Sequence, residues 1–200
     1  MGCLKNIIRS IILTLAITGF VAIGGKDLIM PYITGFFNPS QEKMMENAKK
    51  VGDFSKESEE FELEKATGIF GYNAVIAEHK ASGQKLFVAD TGKKEIITKE
   101  DLRSDNIEEK LRTAIKKIKS QSISAEDITV TKRGTLSAYG DTNAPYVKFT
   151  AKVSKLPMGE IAGIIAVAND KNGSPRALLS VSEKNKFSQL VAEEFFKNIR

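Results

Sequence analysis

The chain has 200 residues, of which 42% are hydrophobic and 28% charged, which excludes a disordered protein and leaves room for one ordinary domain with its own core. The net charge of +5 divides into +2 for residues 1–37, where Lys5, Arg9 and Lys26 stand against Asp27, and +3 for the remainder. So small a surplus among so many acids gives no nucleic-acid footprint, and nucleic acid is not an expected partner.

Cys3 is the single cysteine, so the fold uses no internal disulfide. It follows Met-Gly, but Asn6 stands where N-myristoylation needs Ser or Thr, and a lipoprotein cysteine would follow an apolar run. It reads as a plain thiol at the start of a signal. Lys5 and Arg9 precede an uncharged apolar run, Ile11 to Ile23, that ends in Gly24-Gly25-Lys26-Asp27. That is an export or anchoring signal. A spanning helix needs roughly 20 apolar residues, which Asn6 to Gly25 supplies if Arg9 snorkels to the interface. A cleaved signal has an apolar core of about 7–15 residues followed by small residues, and Ala22-Ile23-Gly24 suits that as well.

The preferred reading is an uncleaved, single-pass anchor through residues 7–25. Leu28 to Ile33 and Phe36-Phe37 continue the apolar character beyond the charged pair, as suits a membrane interface. The flanking charges put the N-terminus in the cytoplasm and the following domain outside it. Cleavage near Gly24, giving a secreted or periplasmic protein, stays open as the alternative.

Asn38-Pro39-Ser40 predicts a helix start with Ser40 as N-cap, and Met44, Met45, Ala48 and Val51 recur at helical spacing. Residues 52–67, rich in Glu, Lys and Ser, are expected to be a linker or a poorly specified edge element. The expected division is a signal anchor and juxtamembrane segment over 1–37, a helical linker or stalk over 38–67, and an α+β domain over 68–200.

Within that domain, Gly71–His79 and Gln84–Asp90 are β-rich runs separated by Lys80-Ala81-Ser82-Gly83, a hairpin pattern. Thr98-Lys99-Glu100-Asp101 is a capping box. It leads into an amphipathic helix near 106–119, with Ile107, Leu111, Ala114, Ile115 and Ile118 as its stripe. Ile128–Lys132 and Thr135–Tyr139 are strand-like, broken by Arg133-Gly134. Tyr146–Val153 alternates, with Val147, Phe149, Ala151 and Val153 on one face and Lys148, Thr150 and Lys152 on a wet one.

Ile161–Ala168 is apolar on both faces, a central strand whose small residues Ala162, Ala166 and Ala168 admit a close helix. Asp170-Lys171-Asn172-Gly173 predicts a tight hairpin into Ala177–Ser182. The last helix carries Phe187, Leu190, Val191, Phe195 and Ile199 as its stripe. Phe195 and Phe196 compete for the inward position, so core packing at the helix end stands beside an exposed apolar patch. The expected class is α+β, an N-terminal membrane helix followed by a mainly antiparallel sheet with flanking helices.

The hairpin Gly71–Asp90, the helix near 106–119, the run Tyr146–Ser182 and the helix from Phe187 stand in an order that resembles the PsbP-like fold. That fold is shared by extrinsic lumenal proteins of photosynthetic membranes and a Ran-binding nuclear import factor. The resemblance covers about two thirds of the chain, in arrangement only. It implies a docking domain, since members are mostly non-enzymatic binding subunits, and it carries no binding residue across. The uncleaved-looking anchor departs from the usual processed form.

Catalytic motifs are weak. His79 is the only histidine and sits before a hairpin turn, where a surface role is expected. Ser40-Gln41-Glu42-Lys43 matches Ser-x-x-Lys, yet the companion Ser-Asp-Asn and Lys-Thr-Gly motifs are missing, and a helix cap explains the serine. Thr91-Gly92-Lys93 lacks the earlier glycine of a phosphate loop, and the 170–173 segment lacks the terminal glutamate of a calcium loop. No catalytic, cofactor-binding or metal-binding residue and no cofactor is assigned.

Lys110, Arg112, Lys116, Lys117 and Lys119 make the helix near 106–119 basic toward its end, while Asp105, Glu108 and Glu109 lie near its start. This matches the helix dipole and a solvated face. Beside a bilayer it is also a candidate contact for anionic lipid or an acidic partner. The expected function is thus a membrane-anchored extracytoplasmic interaction domain without catalytic activity, its partner an envelope protein or anionic lipid. The alternatives are a hydrolase-type enzyme assembled from scattered Asp, Glu, Lys and Ser residues, and a soluble exported protein.

Overall fold

Strands that are apolar on both faces can be solvated on neither, and a sheet built from them must be covered twice. The computed structural model describes residues 41–69, 72–90, 97–116, 124–154 and 160–200. Strands β1 (Phe61–Ile69), β2 (Tyr72–His79), β3 (Gln84–Asp90), β4 (Ser124–Ala138), β5 (Asp141–Ser154), β6 (Glu160–Asn169) and β7 (Pro175–Glu183) form one seven-stranded sheet. Its order is β1-β2-β3-β7-β6-β5-β4, antiparallel throughout. β7, the last strand in sequence, sits in the middle and joins the two halves.

Four described helices cover the sheet: α1 (Gln41–Val51), α2 (Lys99–Arg103), α3 (Ile107–Lys116) and α4 (Gln189–Asn198). Leu86 and Val88 of β3, Ile164, Ala166 and Ala168 of β6 and Leu178 of β7 share one core with Ala48 and Val51 of α1 and Ala192, Phe195 and Phe196 of α4. The intervening residues Phe87, Ile161, Val167, Leu179 and Val181 share the other with Leu102 of α2 and Ile107 and Leu111 of α3. The α+β class, the antiparallel sheet and the flanking helices are therefore as expected. The segment 7–25, Cys3 and Ser40 lie outside the described residues, as does Thr91-Gly92-Lys93. Among the described residues no helix is long and apolar enough to cross a membrane.

A buried amide fixes where α4 begins. Gln84 is fully buried on β3; its Nε2 donates to Ser180 Oγ (2.8 Å) and to the Ser188 carbonyl (2.9 Å), and its Oε1 accepts from the Ser188 N–H (2.8 Å). Ser188 caps the helix in turn, its hydroxyl accepting from the Val191 N–H. Gln84 is thereby paired at both ends, and its burial costs little.

Several expectations are corrected. The described part of the supposed stalk, 41–67, belongs to the domain: α1 packs on β1 and β2, and Asn47 Nδ2 donates to the Ala66 carbonyl. Of the two readings of residues 52–67, linker or edge element, the edge element holds: the charges along β1 lie on a sheet edge, where charge blunts further pairing. The capping box at Thr98 forms as expected, but it caps the short α2, which stops at the extended Ser104; the apolar stripe belongs to the separate α3. β4 runs unbroken through Arg133-Gly134, where Gly134 lies opposite Tyr146 and a Cβ would meet the tyrosine ring at 2.9 Å. At Phe195 and Phe196 the core-packing reading holds, and for both rings, which are fully buried: Phe195 packs against Phe54 and Phe61, and Phe196 meets it edge-on. Leu190 and Met45 leave their stripes, at 76% and 46% exposure.

Gly163 of β6 shows how tightly the sheet is packed. A Cβ there would lie 2.6 Å from the Ser180 carbonyl oxygen and 2.7 Å from the Phe149 ring. Gly163→Ala is expected to destabilise the domain by about 2 kcal/mol, because a backbone atom cannot yield as a flexible side chain can. A lowered urea midpoint at unchanged slope checks it.

Candidate functional site

The β4–β5 connection is a two-residue turn, Tyr139-Gly140, with φ of 54° and 82°. Two positive values make a type I′ turn, a geometry that asparagine and glycine enter easily and tyrosine does not. Holding tyrosine there costs on the order of 1–2 kcal/mol. The side chain offsets this: it is 8% exposed, and its hydroxyl donates to the Val51 carbonyl at 2.8 Å, the last residue of α1. Gly52 follows, packed where a Cβ would stand 2.7 Å from Ile199 and 3.0 Å from the Tyr139 ring. Asp53 and Arg200 then exchange backbone hydrogen bonds, so the end of α1, the β4–β5 turn and the segment after α4 converge.

Arg176, the second residue of β7, points its guanidinium into this convergence. Its Nη2 donates to Asp170 Oδ2 (2.7 Å), and its Nη1 stands 2.6 Å from Asp90 Oδ1, off the line of a hydrogen bond. Its Nε has no acceptor among the described residues. Asp170 also shapes the β6–β7 hairpin: Oδ1 accepts from the N–H groups of Asn172 and Ser174, and Gly173 takes φ 77°. The Asn-Gly signal thus marks a hairpin, closed by an Asp170 side chain that Arg176 also holds. Burial pushes the Tyr139 phenol up, so it stays a protonated donor at any ordinary pH.

These elements border a cleft of about 570 Å³. Its apolar lining comes from Met45, Ala48, Val51, Phe54, Leu63 and Tyr139; its cations are Lys49, Lys50, Lys171, Arg176 and Arg200, against the acids Asp53 and Asp170. That size and mixture suit a small-molecule site. Lys50 is paired with Glu46, whereas Lys49, Lys171 and Arg200 form no ion pair among the described residues. The Asp53 carboxyl is held below the usual range, first by the Ser55 backbone N–H and with Arg200 assisting.

Near Glu194 of α4 lies a different group. Both Glu57 carboxyl oxygens are buried without a partner among the described residues. Burial, with Glu194 adding repulsion, pushes its pKa up to about 8.

The basic helix behaves otherwise than as an open patch where it is described. Lys110 reaches Asp101, and Arg112 donates to Glu108 (2.9 Å) and to the Ile128 carbonyl (3.1 Å). Burial raises the Asp101 carboxyl, but Lys110 and the Thr98 cap outweigh it and hold it below the usual range. The Val130 N–H, and after it Arg112, hold Glu108 low as well. The Lys116 side chain, Lys117 and Lys119 lie outside the described residues. His79 is half-buried: its Nδ1 bonds Ser82 Oγ (2.8 Å), its Nε2 lies 3.7 Å from Glu60, and its ring packs on Phe61. Among the described residues no cluster of three or more His, Cys, Asp or Glu could hold a metal ion.

The structure thus brings together Tyr139, Asp170 and Arg176, none of which stood out as functional in the sequence. The available signal was Arg176 itself, a charge at the entry to the apolar strand run Ala177–Ser182. No protein-family model matches the chain, and no curated protein matches it either.

Arg176→Met is expected to cost about 3 kcal/mol, because it removes the cation that Asp90 and Asp170 share, and adding Asp90→Asn and Asp170→Asn should recover most of it. Urea unfolding of the single and triple variants decides. Glu57 gives a pH test. Between its ordinary value of 4.5 and about 8 the folded chain keeps a proton that the unfolded chain releases. Stability from this group is therefore full below that range and lost as pH rises through it. Glu57→Gln should flatten the fall in thermal midpoint between pH 5 and 9 and be the more stable form at pH 9, by on the order of 1 kcal/mol after solvent screening.

Proposed function

We propose that this chain is a membrane-anchored, extracytoplasmic binding domain without catalytic activity, of the PsbP-like kind. The observation that carries the binding role is the cleft. Its buried charges are locked to one another by Arg176, so its shape is preformed, and its free cations are at the rim. A preformed site of that kind binds without reorganising. The anchor rests on the sequence: basic flank, uncharged apolar run and apolar continuation beyond it. The order that suggests the PsbP-like fold is a hairpin, a helix, an antiparallel run and a closing helix; the described elements from β2 onward run hairpin, two helices, four antiparallel strands and a helix, which supports the reading, while α1 and β1 precede that order.

Lys110 and Arg112 remain candidates for contact with anionic lipid or an acidic partner. Their pairing with Asp101 and Glu108 lowers the charge they can offer. A second reading, a hydrolase-type enzyme, draws on one observation, the buried Glu57 carboxyl that has no hydrogen-bond partner among the described residues and a raised pKa beside Glu194.

Protease accessibility in intact cells and spheroplasts, followed with an antibody to the C-terminus, tests the topology. Digestion only after the outer barrier is opened, at full-length size, is expected. A shorter band would mean a cleaved signal, and protection throughout would place the domain in the cytoplasm.

A further inference from the structure

The cleft between α1, the Tyr139 turn and the β6–β7 hairpin joins two unlike surfaces. Phe54 and Leu63 are partly buried and Met45 is half-exposed, forming an apolar floor that the helix packing leaves open. Around it stand Lys49, Lys171 and Arg200, which form no ion pair among the described residues. The acids nearby are already engaged. Asp170 accepts from Arg176 and from two turn N–H groups, and Asp53 accepts from the Ser55 N–H at 2.9 Å. Arg176 adds a donor, Nε, that has no acceptor among the described residues, on a side chain only 8% exposed.

We propose that this cleft binds an amphiphilic anion, with a phosphate or carboxylate head at the cationic rim and an apolar body on the floor. The proposal rests on the binding role above but not on the topology of the chain. Charge complementarity selects the head, since the lining holds more cations than acids: Lys49 and Lys171 pair with no acid among the described residues, and Arg200 has only the electrostatic company of Asp53. A volume of about 570 Å³ selects a body of small-molecule size, as ligand clefts run from roughly 300 to 1,000 Å³. A bare inorganic anion would leave the floor wet, and a neutral apolar molecule would leave the cations unanswered. Neither alone fits the site.

The test is saturation-transfer NMR on the full chain in phosphatidylcholine nanodiscs, with phenyl phosphate as the probe and empty nanodiscs as the blank. Phenyl phosphate should receive saturation above the blank. Phenol, without the charge, should bind about tenfold more weakly, and inorganic phosphate should displace the probe only at about tenfold higher concentration, each lost contact being worth roughly 1.4 kcal/mol. The combined variant Lys49→Ala, Lys171→Ala, Arg200→Ala, all surface changes, should weaken the probe by at least about tenfold.

Phenol or inorganic phosphate equalling the probe, or a triple variant that binds as the parent does, would overturn the proposal. Repeating the titration with phosphatidylglycerol in the nanodiscs separates sources. Displacement of the probe supports a lipid head group as the anion, and undiminished binding supports a freely diffusing one. Recovery of a macromolecular partner by a chain whose cleft ignores phenyl phosphate would end this proposal and leave the binding role standing.

Discussion

Because β3, β6 and β7 bury side chains on both faces, the sheet cannot be stable until helices lie on each of them. Everything else in the domain answers to that requirement. β7 reaches the middle of the sheet late in the chain, so neither half can complete its core without the other. The helices are drawn from widely separated stretches: α1 and α4 from the two ends of the domain for one face, α2 and α3 from its interior for the other. Short helices suffice because packing, not their own propensity, holds them.

Double coverage makes a polar side chain in the layers costly unless it is matched. Gln84 is matched by Ser180 and Ser188, and Arg176 by Asp90 and Asp170. The two solutions differ in outcome. Gln84 sits where β3, β7 and the start of α4 close over it, and it is satisfied internally. Arg176 sits at the end of the sheet, where the layers part into turns, and its surroundings open into a cleft. The strained Tyr139 turn belongs to the same place, tied by its hydroxyl to the end of α1. A site therefore forms where the two-sided packing stops, because only there can buried charge and apolar surface both face open space.

Much of this was legible in the residues. The β2–β3 hairpin, the Thr98 capping box, the alternating face of β5, the two-faced β6 and the Asn-Gly hairpin follow from local period and turn chemistry, and they appear where expected. What was hidden depended on distant partners. Whether β1 was linker or edge element stayed open in the sequence because its charged residues lie along a sheet edge that only β2 defines. Arg133-Gly134 reads as a break because the purpose of the glycine is the Tyr146 ring across the strand pair. Tyr139 was invisible as a turn residue, since nothing local favours a positive φ at tyrosine; its bond to Val51, 88 residues away, does. The cleft inherits that obscurity, being built from residues that are neighbours only once the sheet has closed.

Both outer strands of the sheet depart from regular pairing. β1 shifts register between Leu63 and Lys65, and β4 shifts at three places along its length, the last beside the Tyr139 turn. A shifted strand twists away and presents its outward N–H and C=O groups unevenly. Such an edge is a poor template for a strand from another molecule. The irregularities therefore make the domain a sheet that ends, one that stays discrete when copies crowd together instead of extending into a ribbon.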